Sequence, residues 1–207
     1  MQYIFIHGLG QSSSSWGKTV SCMSEKFCPV CPDLSVLLGD KEVTYANLYH
    51  AFSEYCGNIA EPLNLCGLSL GAVLALNYAI DYPEKAQTLA LIAAQYKMPK
   101  KLLGFQNIIF KFTPESAFKN MGFPKKDIIK LTGSMGDLDF SKKLKNISCD
   151  TLVICGQKDS ANKKAAKDLA GNIQRAEFRL IENAGHEVNT ENPEKLASEL
   201  EIFYRRQ

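Results

Sequence analysis

The sequence lacks the features that mark membrane and secreted proteins. No run of about eighteen uncharged apolar residues occurs, so no transmembrane helix is predicted. The first residues contain no basic segment and no small-residue cleavage site, which argues against a secretory leader. We therefore expect a cytoplasmic protein without integral membrane association.

An excess of charge of one sign is also lacking. Lys and Arg number 24 and Asp and Glu number 22, which gives a formal net charge of +2. A balance this close does not favour nucleic acid as a partner. Because 45% of the 207 residues are hydrophobic, one globular domain with a sizeable core is expected and disorder is not.

Cysteine usage argues against a disulfide framework and against a metal centre. The seven cysteines cannot all pair, and without a leader we expect free thiols in a reducing compartment. Cys28 and Cys31 form a C-x-x-C, but no second pair completes a zinc site. They lie in an apolar run that is typical of a strand. We predict two buried strand cysteines, no metal and no cofactor.

Short apolar runs alternate with stretches of helical periodicity along the chain. The predicted strands are 3–6, 27–31, 62–66, 86–94, 151–155 and 176–181. The predicted helices are 13–26, 44–56, 70–80, 161–170 and 193–204. This alternation predicts an α/β fold, a mostly parallel sheet with helices on both faces.

The segment 96–131 interrupts the alternation because it is too long for a simple crossover. It carries eight lysines against two acidic residues. It also holds five of the eleven phenylalanines, Phe105, Phe110, Phe112, Phe118 and Phe123. We predict a short helical cap over 96–145, inserted between the core segments 1–95 and 146–207.

Two interpretations of this cap stay open. It can be a set of ordinary amphipathic helices with a solvated lysine face. Alternatively, it is a lid whose aromatic side lines a pocket and whose lysines attract anions. Phe105 and Phe110 are the substrate-binding candidates from the cap. Trp16, the single tryptophan, is a further candidate, with core packing as its alternative.

Residues 67–71, which read G-L-S-L-G, are the sharpest motif. An apolar strand precedes them and an apolar helix follows, which is the setting that G-x-S-x-G requires. Such a sharp reversal strains the backbone of its central residue, and flanking glycines leave room for it. The hydroxyl of Ser69 would then stand clear of the sheet at the positive end of the helix. A glycine-rich turn without chemistry is the alternative.

A serine nucleophile needs a base, and three histidines are available. His186 follows the last predicted strand, so it and Ser69 would meet where loops converge at the carboxyl ends of parallel strands. Asp159 follows the preceding strand and would orient the imidazole. We expect His7 to brace its loop, and His50 to be a surface or packing residue of a helix. Other acids remain as alternatives to Asp159: Asp33, Asp137 and Asp139.

Two backbone N–H groups are candidates for an oxyanion hole. The N–H of Leu70 opens the helix that follows Ser69. The N–H of Leu9 lies in the loop after the first strand, where Gly8 and Gly10 let the backbone approach a substrate closely.

Together these motifs resemble the α/β-hydrolase superfamily, and in particular its small bacterial esterase- and lipase-like members. The matching features, in order, are a strand followed by HGLG, GLSLG between a strand and a helix, GQKD after a strand, and a late AGHE. The resemblance covers nearly the whole chain and places the cap where the superfamily has it. It implies Ser69 as nucleophile, Asp159 as acid, His186 as base, and the amides of Leu9 and Leu70 as the oxyanion hole. The chain departs from many members by starting at the HG strand, without a preceding hairpin.

The implied activity is that of a serine carboxylesterase acting on small to medium apolar acyl esters, with no cofactor. A thioesterase and a C–C bond hydrolase or lyase are alternatives on the same triad, and a non-catalytic ligand-binding protein is another. Lyase-like members grip substrate carboxylates with arginine, and the four arginines of this chain lie outside the cap and the early loops. A dinucleotide loop at 8–13, with Asp33 as ribose ligand, is the alternative from a different class.

Overall fold

Five apolar segments form a parallel sheet in the computed structural model, which describes residues 1–98, 100, 109–118 and 122–206. The strands are β1 (Gln2–Ile6), β2 (Leu63–Leu68), β3 (Ala86–Ile92), β4 (Asp150–Gly156) and β5 (Ala176–Ile181). They pair in that order, and every neighbouring pair is parallel. The predicted α/β class is confirmed, although the sheet in the described residues has five strands and not six.

Helices cover both faces of the sheet because strand side chains alternate between two cores. Ile4 and Leu65 belong to one hydrophobic cluster, and Phe5 and Leu68 belong to the other. The helices are α1 (Gly17–Ser21), α2 (Leu34–Leu38), α3 (Tyr45–Gly57), α4 (Leu70–Asp81), α5 (Lys125–Ser134), α6 (Lys163–Asn172), α7 (Val188–Glu191) and α8 (Pro193–Tyr204). Helices α2 to α6 contribute to the first cluster, and α1, α7 and α8 contribute to the second. Within the described part of the chain, none of these helices is long and apolar enough to cross a membrane.

The predicted strand over 27–31 is wrong. Only Val30 pairs with the sheet, in one isolated bridge to Ile4 on the free edge of β1. Both of its backbone hydrogen bonds to β1 are 2.9 Å long. Pro29 and Pro32 flank this position, and proline has no N–H to extend a ladder.

Helix α2 is missing from the predicted elements, although its start signal is present in the sequence. The carboxylate of Asp33 accepts hydrogen bonds from the N–H groups of Ser35 at 3.0 Å and Val36 at 3.4 Å, as an N-cap does. Asp33 is therefore a capping residue, and its roles as ribose ligand or triad acid are not supported. The predicted helix over 13–26 is also too long, because α1 ends at Ser21.

Two backbone hydrogen bonds join the start of the predicted cap segment, 96–145, to residues near its end. Met98 donates to the carbonyl of Leu138 at 2.9 Å, and Phe140 donates to the carbonyl of Tyr96 at 2.8 Å. Helix α5 then places Ile128 in the same hydrophobic cluster as α3 and α4. The described part of the segment 96–145 therefore packs directly on the core of the sheet.

Three lysines of the predicted cap form ion pairs with carboxylates. The pairs are Lys97 with Asp139 at 2.9 Å, Lys100 with Asp137, and Lys130 with Glu42. All of these side chains are solvent-exposed, so each pair contributes little to stability. This occupation favours a solvated, ion-paired lysine face over a lid that attracts anions through these three residues.

All seven cysteines lie in the described residues, and all are free thiols, as predicted. The burial predicted for the C-x-x-C pair is wrong, since Cys28 is exposed and Cys31 is only partly buried. Desolvation raises the pKa of Cys31 to about 11, which keeps it protonated near neutral pH.

His7 braces the loop after β1, as expected. Its side chain is buried, Nδ1 donates to the carbonyl of Gly8 at 2.8 Å, and Nε2 accepts from the N–H of Leu34 at 3.0 Å. Both bonds together require a neutral ring with its proton on Nδ1. Burial lowers the pKa of His7, and it outweighs the opposite effects of the Gly8 carbonyl and the Asp33 carboxylate.

Close approach between β1 and α4 depends on Gly71. A Cβ atom at this position would lie 2.2 Å from the carbonyl oxygen of Ile6 and 2.7 Å from that of His7. Backbone atoms cannot move aside as a flexible side chain can. Helix α4 could therefore not seat against β1 with any larger residue at position 71.

We predict that Gly71→Ala lowers the free energy of unfolding by roughly 1–3 kcal/mol through overpacking. Gly171→Ala is the matched control, because Gly171 lies in α6 with open space around it. Alanine should there be neutral or stabilise by about 0.5–1 kcal/mol. Urea unfolding of both variants measures this, and equal effects at the two positions would contradict the packing argument.

We also predict that the neutral state of His7 makes stability pH-dependent. Because the folded-state pKa is lowered, the unfolded chain binds the proton more readily. Stability is therefore full above the unfolded pKa of about 6.5 and falls as the pH drops below it, by at most about 1.4 kcal/mol per pH unit. Urea unfolding at pH 7.5 and pH 5.5 should show a larger loss for the wild type than for His7→Gln. An identical loss in both proteins would show that His7 is not the responsible group.

Candidate active site

Ser69 stands at a sharp turn between β2 and α4. Its backbone has φ 52° and ψ −111°, a conformation that residues other than glycine rarely adopt. A Cβ atom on Gly67 would lie 2.3 Å from the carbonyl carbon of Gly71, so both flanking positions require glycine. The strained conformation predicted for the G-x-S-x-G turn is therefore observed, and the packing of β2 against α4 maintains it.

Two backbone donors belong to the elements around Ser69. Leu70 is the first residue of α4, where a backbone N–H has no acceptor within the helix and carries part of the positive end of the helix dipole. Gly8 lies against the turn, since a Cβ built on it would be 3.6 Å from Cβ of Ser69. The N–H of Gly8 donates to Oε1 of Gln11 at 3.3 Å. The next N–H along the loop, that of Leu9, has no hydrogen-bond partner among the described residues.

The loops after β4 and β5 bring an acid and an imidazole together. Oδ2 of Asp159 lies 2.9 Å from Nδ1 of His186. The loops can approach because Gly156 has no side chain, and a Cβ there would lie 2.0 Å from the carbonyl oxygen of Gly185. The Asp159 side chain is 4% exposed and the His186 side chain is 44% exposed. The carboxylate is therefore buried, while the imidazole is accessible to solvent.

The carboxylate of Asp159 is held in its charged form. Burial alone would raise the pKa of Asp159, but hydrogen bonds from His186 and Asn162 and the charge of a protonated His186 outweigh it. The pKa of Asp159 is consequently lowered. A buried, ionised carboxylate beside Nδ1 keeps the proton of the neutral imidazole on that nitrogen and leaves Nε2 free to accept another.

Asn162 is a candidate site residue that the sequence analysis missed. Its Nδ2 lies 2.9 Å from each carboxylate oxygen of Asp159 and 3.1 Å from Nδ1 of His186. Gln95 donates to Oδ1 of Asn162 at 2.7 Å, which fixes the orientation of the amide. The sequence signal for this contact is an asparagine at the start of α6, three residues after Asp159, from where its amide can reach the carboxylate.

Glu191 is a second residue that the sequence analysis missed. Its Oε2 accepts from the N–H of Gly185 at 2.7 Å, and its Oε1 accepts from the N–H of Glu187 at 3.0 Å. The two donors flank His186, so one carboxylate holds the backbone on both sides of the imidazole. Sequence alone gave only a glutamate five residues beyond the histidine.

Ser69 and His186 come from different loops, and no hydrogen bond joins their side chains among the described residues. The alternative acids are engaged elsewhere, since the partners of Asp137 and Asp139 are cap lysines. His50 pairs with Glu54 at 3.1 Å on an exposed face of α3, so of its two expected roles it has that of a surface residue.

The three predicted substrate-binding residues have different environments. Trp16 is fully buried and packs edge to face on Phe5, with ring centroids 5.1 Å apart. It is thus a core residue, and its role in a pocket wall is not supported. Phe110 is partly buried and makes an edge-to-face contact with Phe118 at 5.4 Å. Phe105 lies outside the described residues.

The arrangement contains the parts that nucleophilic acyl transfer needs. A hydroxyl stands at a helix N-terminus, and an imidazole is oriented by a carboxylate. One backbone N–H lies in the loop after β1, and a second lies at the start of α4. In the part of the chain that the structure describes, no cluster of three or more His, Cys, Asp or Glu side chains could hold a metal ion.

Solved structures with the same fold include a thermophilic esterase from Thermogutta terrifontis. It superposes with a TM-score of 0.81 at 20% identity, covering 100% of this chain and 90% of the esterase. MenH from S. aureus superposes with a TM-score of 0.84 at 15% identity, covering 99% of this chain and 94% of MenH. At such identities the likeness shows the fold alone.

Sequence comparison extends the likeness to curated proteins. The monoacylglycerol lipase ABHD6 of Homo sapiens is 21% identical over 243 aligned positions, which cover 94% of this chain and 72% of the lipase. A sequence profile of the alpha/beta hydrolase family matches residues 3–199. The match spans nearly the whole chain and agrees with the five-stranded parallel sheet and its helices. The protein therefore belongs to the alpha/beta hydrolase family.

Proposed function

We propose that the protein is a serine hydrolase, and specifically a carboxylesterase that works through an acyl-enzyme. The observation that carries this proposal is the pairing of two features at one edge of the sheet. Ser69 is held at positive φ at the start of α4, and the Asp159 carboxylate lies 2.9 Å from Nδ1 of His186. Outside a reaction, neither the strained turn nor the buried carboxylate has an evident purpose.

In the acylation step, Nε2 of His186 takes the proton of Ser69 as Oγ attacks the ester carbonyl. The carbonyl oxygen becomes an oxyanion, and the N–H groups of Leu9 and Leu70 stabilise it. The tetrahedral intermediate then collapses, and His186 gives its proton to the leaving alcohol. Asp159 stabilises the imidazolium during the interval in which His186 carries that proton.

Deacylation repeats these steps with water. His186 removes a proton from water as its oxygen attacks the acyl carbonyl, and the same two N–H groups stabilise the second oxyanion. Collapse of this intermediate releases the carboxylic acid, and the proton on His186 returns to Ser69. All steps use side-chain and backbone groups of the chain, so the proposal includes no cofactor.

An ester with an apolar acyl group of small to medium size is the substrate class that we propose. The described part of the segment 96–145 is rich in apolar side chains, and one of them, Phe110, is only partly buried. Two similar proteins carry names that denote hydrolysis of ester bonds, the thermophilic esterase and the monoacylglycerol lipase. All four arginines are ion-paired with Asp or Glu, namely Arg175, Arg179, Arg205 and Arg206. This speaks against an arginine grip on a substrate carboxylate.

The first experiment is hydrolysis of p-nitrophenyl esters of increasing acyl length by the wild type and by Ser69→Ala. We expect turnover by the wild type and a loss of about 10⁴-fold or more in kcat/KM in the variant. Ser53→Ala, a change of the same kind at a partly buried serine of α3, is the control and should keep full turnover. Ester hydrolysis that survives in Ser69→Ala would refute the serine mechanism.

We further predict that Asn162→Ala lowers kcat/KM by roughly 10- to 100-fold, because one donor to a charged group is removed from Asp159. Asp159→Asn should cost about 10⁴-fold by disturbing the histidine tautomer. Asn172→Ala, at the far end of α6, should leave turnover unchanged. Wild-type turnover in Asn162→Ala would show that its hydrogen bonds to Asp159 do not serve the reaction.

A further inference from the structure

A buried pair of amides joins the loop after β1 to helix α7. Nε2 of Gln11 donates to Oδ1 of Asn189 at 3.1 Å, and Nδ2 of Asn189 donates to Oε1 of Gln11 at 3.2 Å. Gln11 is 7% exposed and Asn189 is 0% exposed. The two residues are separated by 178 positions in the sequence, so this contact joins the N-terminal part of the chain to its C-terminal part.

Each amide is also bonded to its own surroundings. Oε1 of Gln11 accepts from the N–H of Gly8 at 3.3 Å and from the hydroxyl of Ser15 at 3.2 Å. Nδ2 of Asn189 donates to the carbonyl of Ser15 at 3.3 Å, and the carbonyl of Asn189 accepts from the hydroxyl of Thr19 at 2.9 Å. The bonds of Asn189 tie the segment 8–19 to α7, and the bonds from Gly8 and Ser15 hold the Gln11 amide within that segment.

The position of the pair connects the two halves of the proposed machinery. Leu9, the proposed oxyanion donor, lies between Gly8 and Gln11, and both of these residues are held by the amide network. His186, the proposed base, precedes Asn189 by three residues. Burying two amides is costly unless they are fully hydrogen-bonded, and an apolar pair of similar shape can stabilise a fold equally well. What the amides add is a defined distance and direction between the two loops.

We propose that Gln11 and Asn189 are positioning residues that set the Leu9 N–H against His186 for the transition state. This inference rests on the proposed function, because it concerns the oxyanion donor and the base of that reaction. Neither residue touches the substrate in this role. They act through the backbone of the two loops.

The test uses Gln11→Leu, Asn189→Leu and the double variant, with two probes of one alkyl length. An alkylboronic acid adds to Oγ of Ser69, the proton passes to His186, and the tetrahedral boron places an oxygen at the oxyanion donors. An alkyl p-nitrophenyl ether has no carbonyl, so its binding reports only the pocket. The inhibition constants of both probes are measured against p-nitrophenyl ester hydrolysis, with a thermal unfolding scan for each variant.

We expect each single variant to bind the boronic acid roughly 10- to 100-fold more weakly, with a parallel fall in kcat/KM, as a small displacement of catalytic groups causes. Binding of the ether should change by less than about twofold. The double variant should lose no more than the worse single variant, because residues of one pair are not additive. Equal weakening of both probes, or an unchanged boronic acid constant, would overturn the proposal.

Two further variants keep the test decisive. Thr88→Val removes another buried bond, the 2.7 Å contact to Asn64 between β2 and β3, and should lower the melting temperature without changing either probe. Should a leucine variant fail to fold, Gln11→Glu keeps the accepting oxygen and replaces only the nitrogen that donates to Asn189. The same selective loss is expected for it, and equal effects on both probes would again overturn the proposal.

Failure of this inference can be told apart from failure of the proposed function. If Ser69→Ala still hydrolyses esters, or if the wild type never does, the serine mechanism itself is refuted. If Ser69 is essential while the Gln11 and Asn189 variants bind the boronic acid as the wild type does, the mechanism stands and only the positioning role is wrong.

Discussion

The turn at Ser69 is the constraint on which the rest of the site depends. A residue at φ 52° is unfavourable unless its surroundings leave no other conformation. Here β2 and α4 pack so closely that a Cβ on Gly67 would collide with Gly71, and one on Gly71 would collide with the end of β1. The three elements thus form one unit, and the same contact that strains Ser69 brings the loop after β1 against it. The strain and the placement of the nucleophile have a single cause.

The acid and base depend on a different kind of support. Their loops have little secondary structure, so side chains replace the missing backbone ladder. Glu191 holds the two N–H groups beside His186, and Asn162 holds both oxygens of Asp159. Each bond alone contributes about 1 kcal/mol or somewhat more where a charge takes part. Several of them on one short loop restrict the imidazole to a narrow range of orientations, which is what proton transfer between fixed partners requires.

The sequence predicts the features that depend on neighbours along the chain. The strained turn follows from five consecutive residues, and the parallel class follows from the alternation of strands and helices. The apolar pattern over 27–31 predicts a strand, but two flanking prolines limit the pairing to one bridge at Val30. Helix α2 has only five residues, and its start signal is the N-cap Asp33. The contacts that support the site were out of reach for another reason. Gln11 and Asn189 are 178 positions apart, and nothing in a single sequence says which buried amide meets which.

The two histidines in loops after strands show how environment decides the role of a side chain. His7 is buried, and backbone groups occupy both of its ring nitrogens, so its neutral form is favoured and it has no nitrogen left to offer. His186 is 44% exposed and has a carboxylate at Nδ1. With the proton of the neutral ring on Nδ1, facing Asp159, Nε2 stays available to accept another. The sequence places both histidines after strands. Only the hydrogen-bond partners around each ring distinguish the structural role of His7 from the proposed role of His186 as a base.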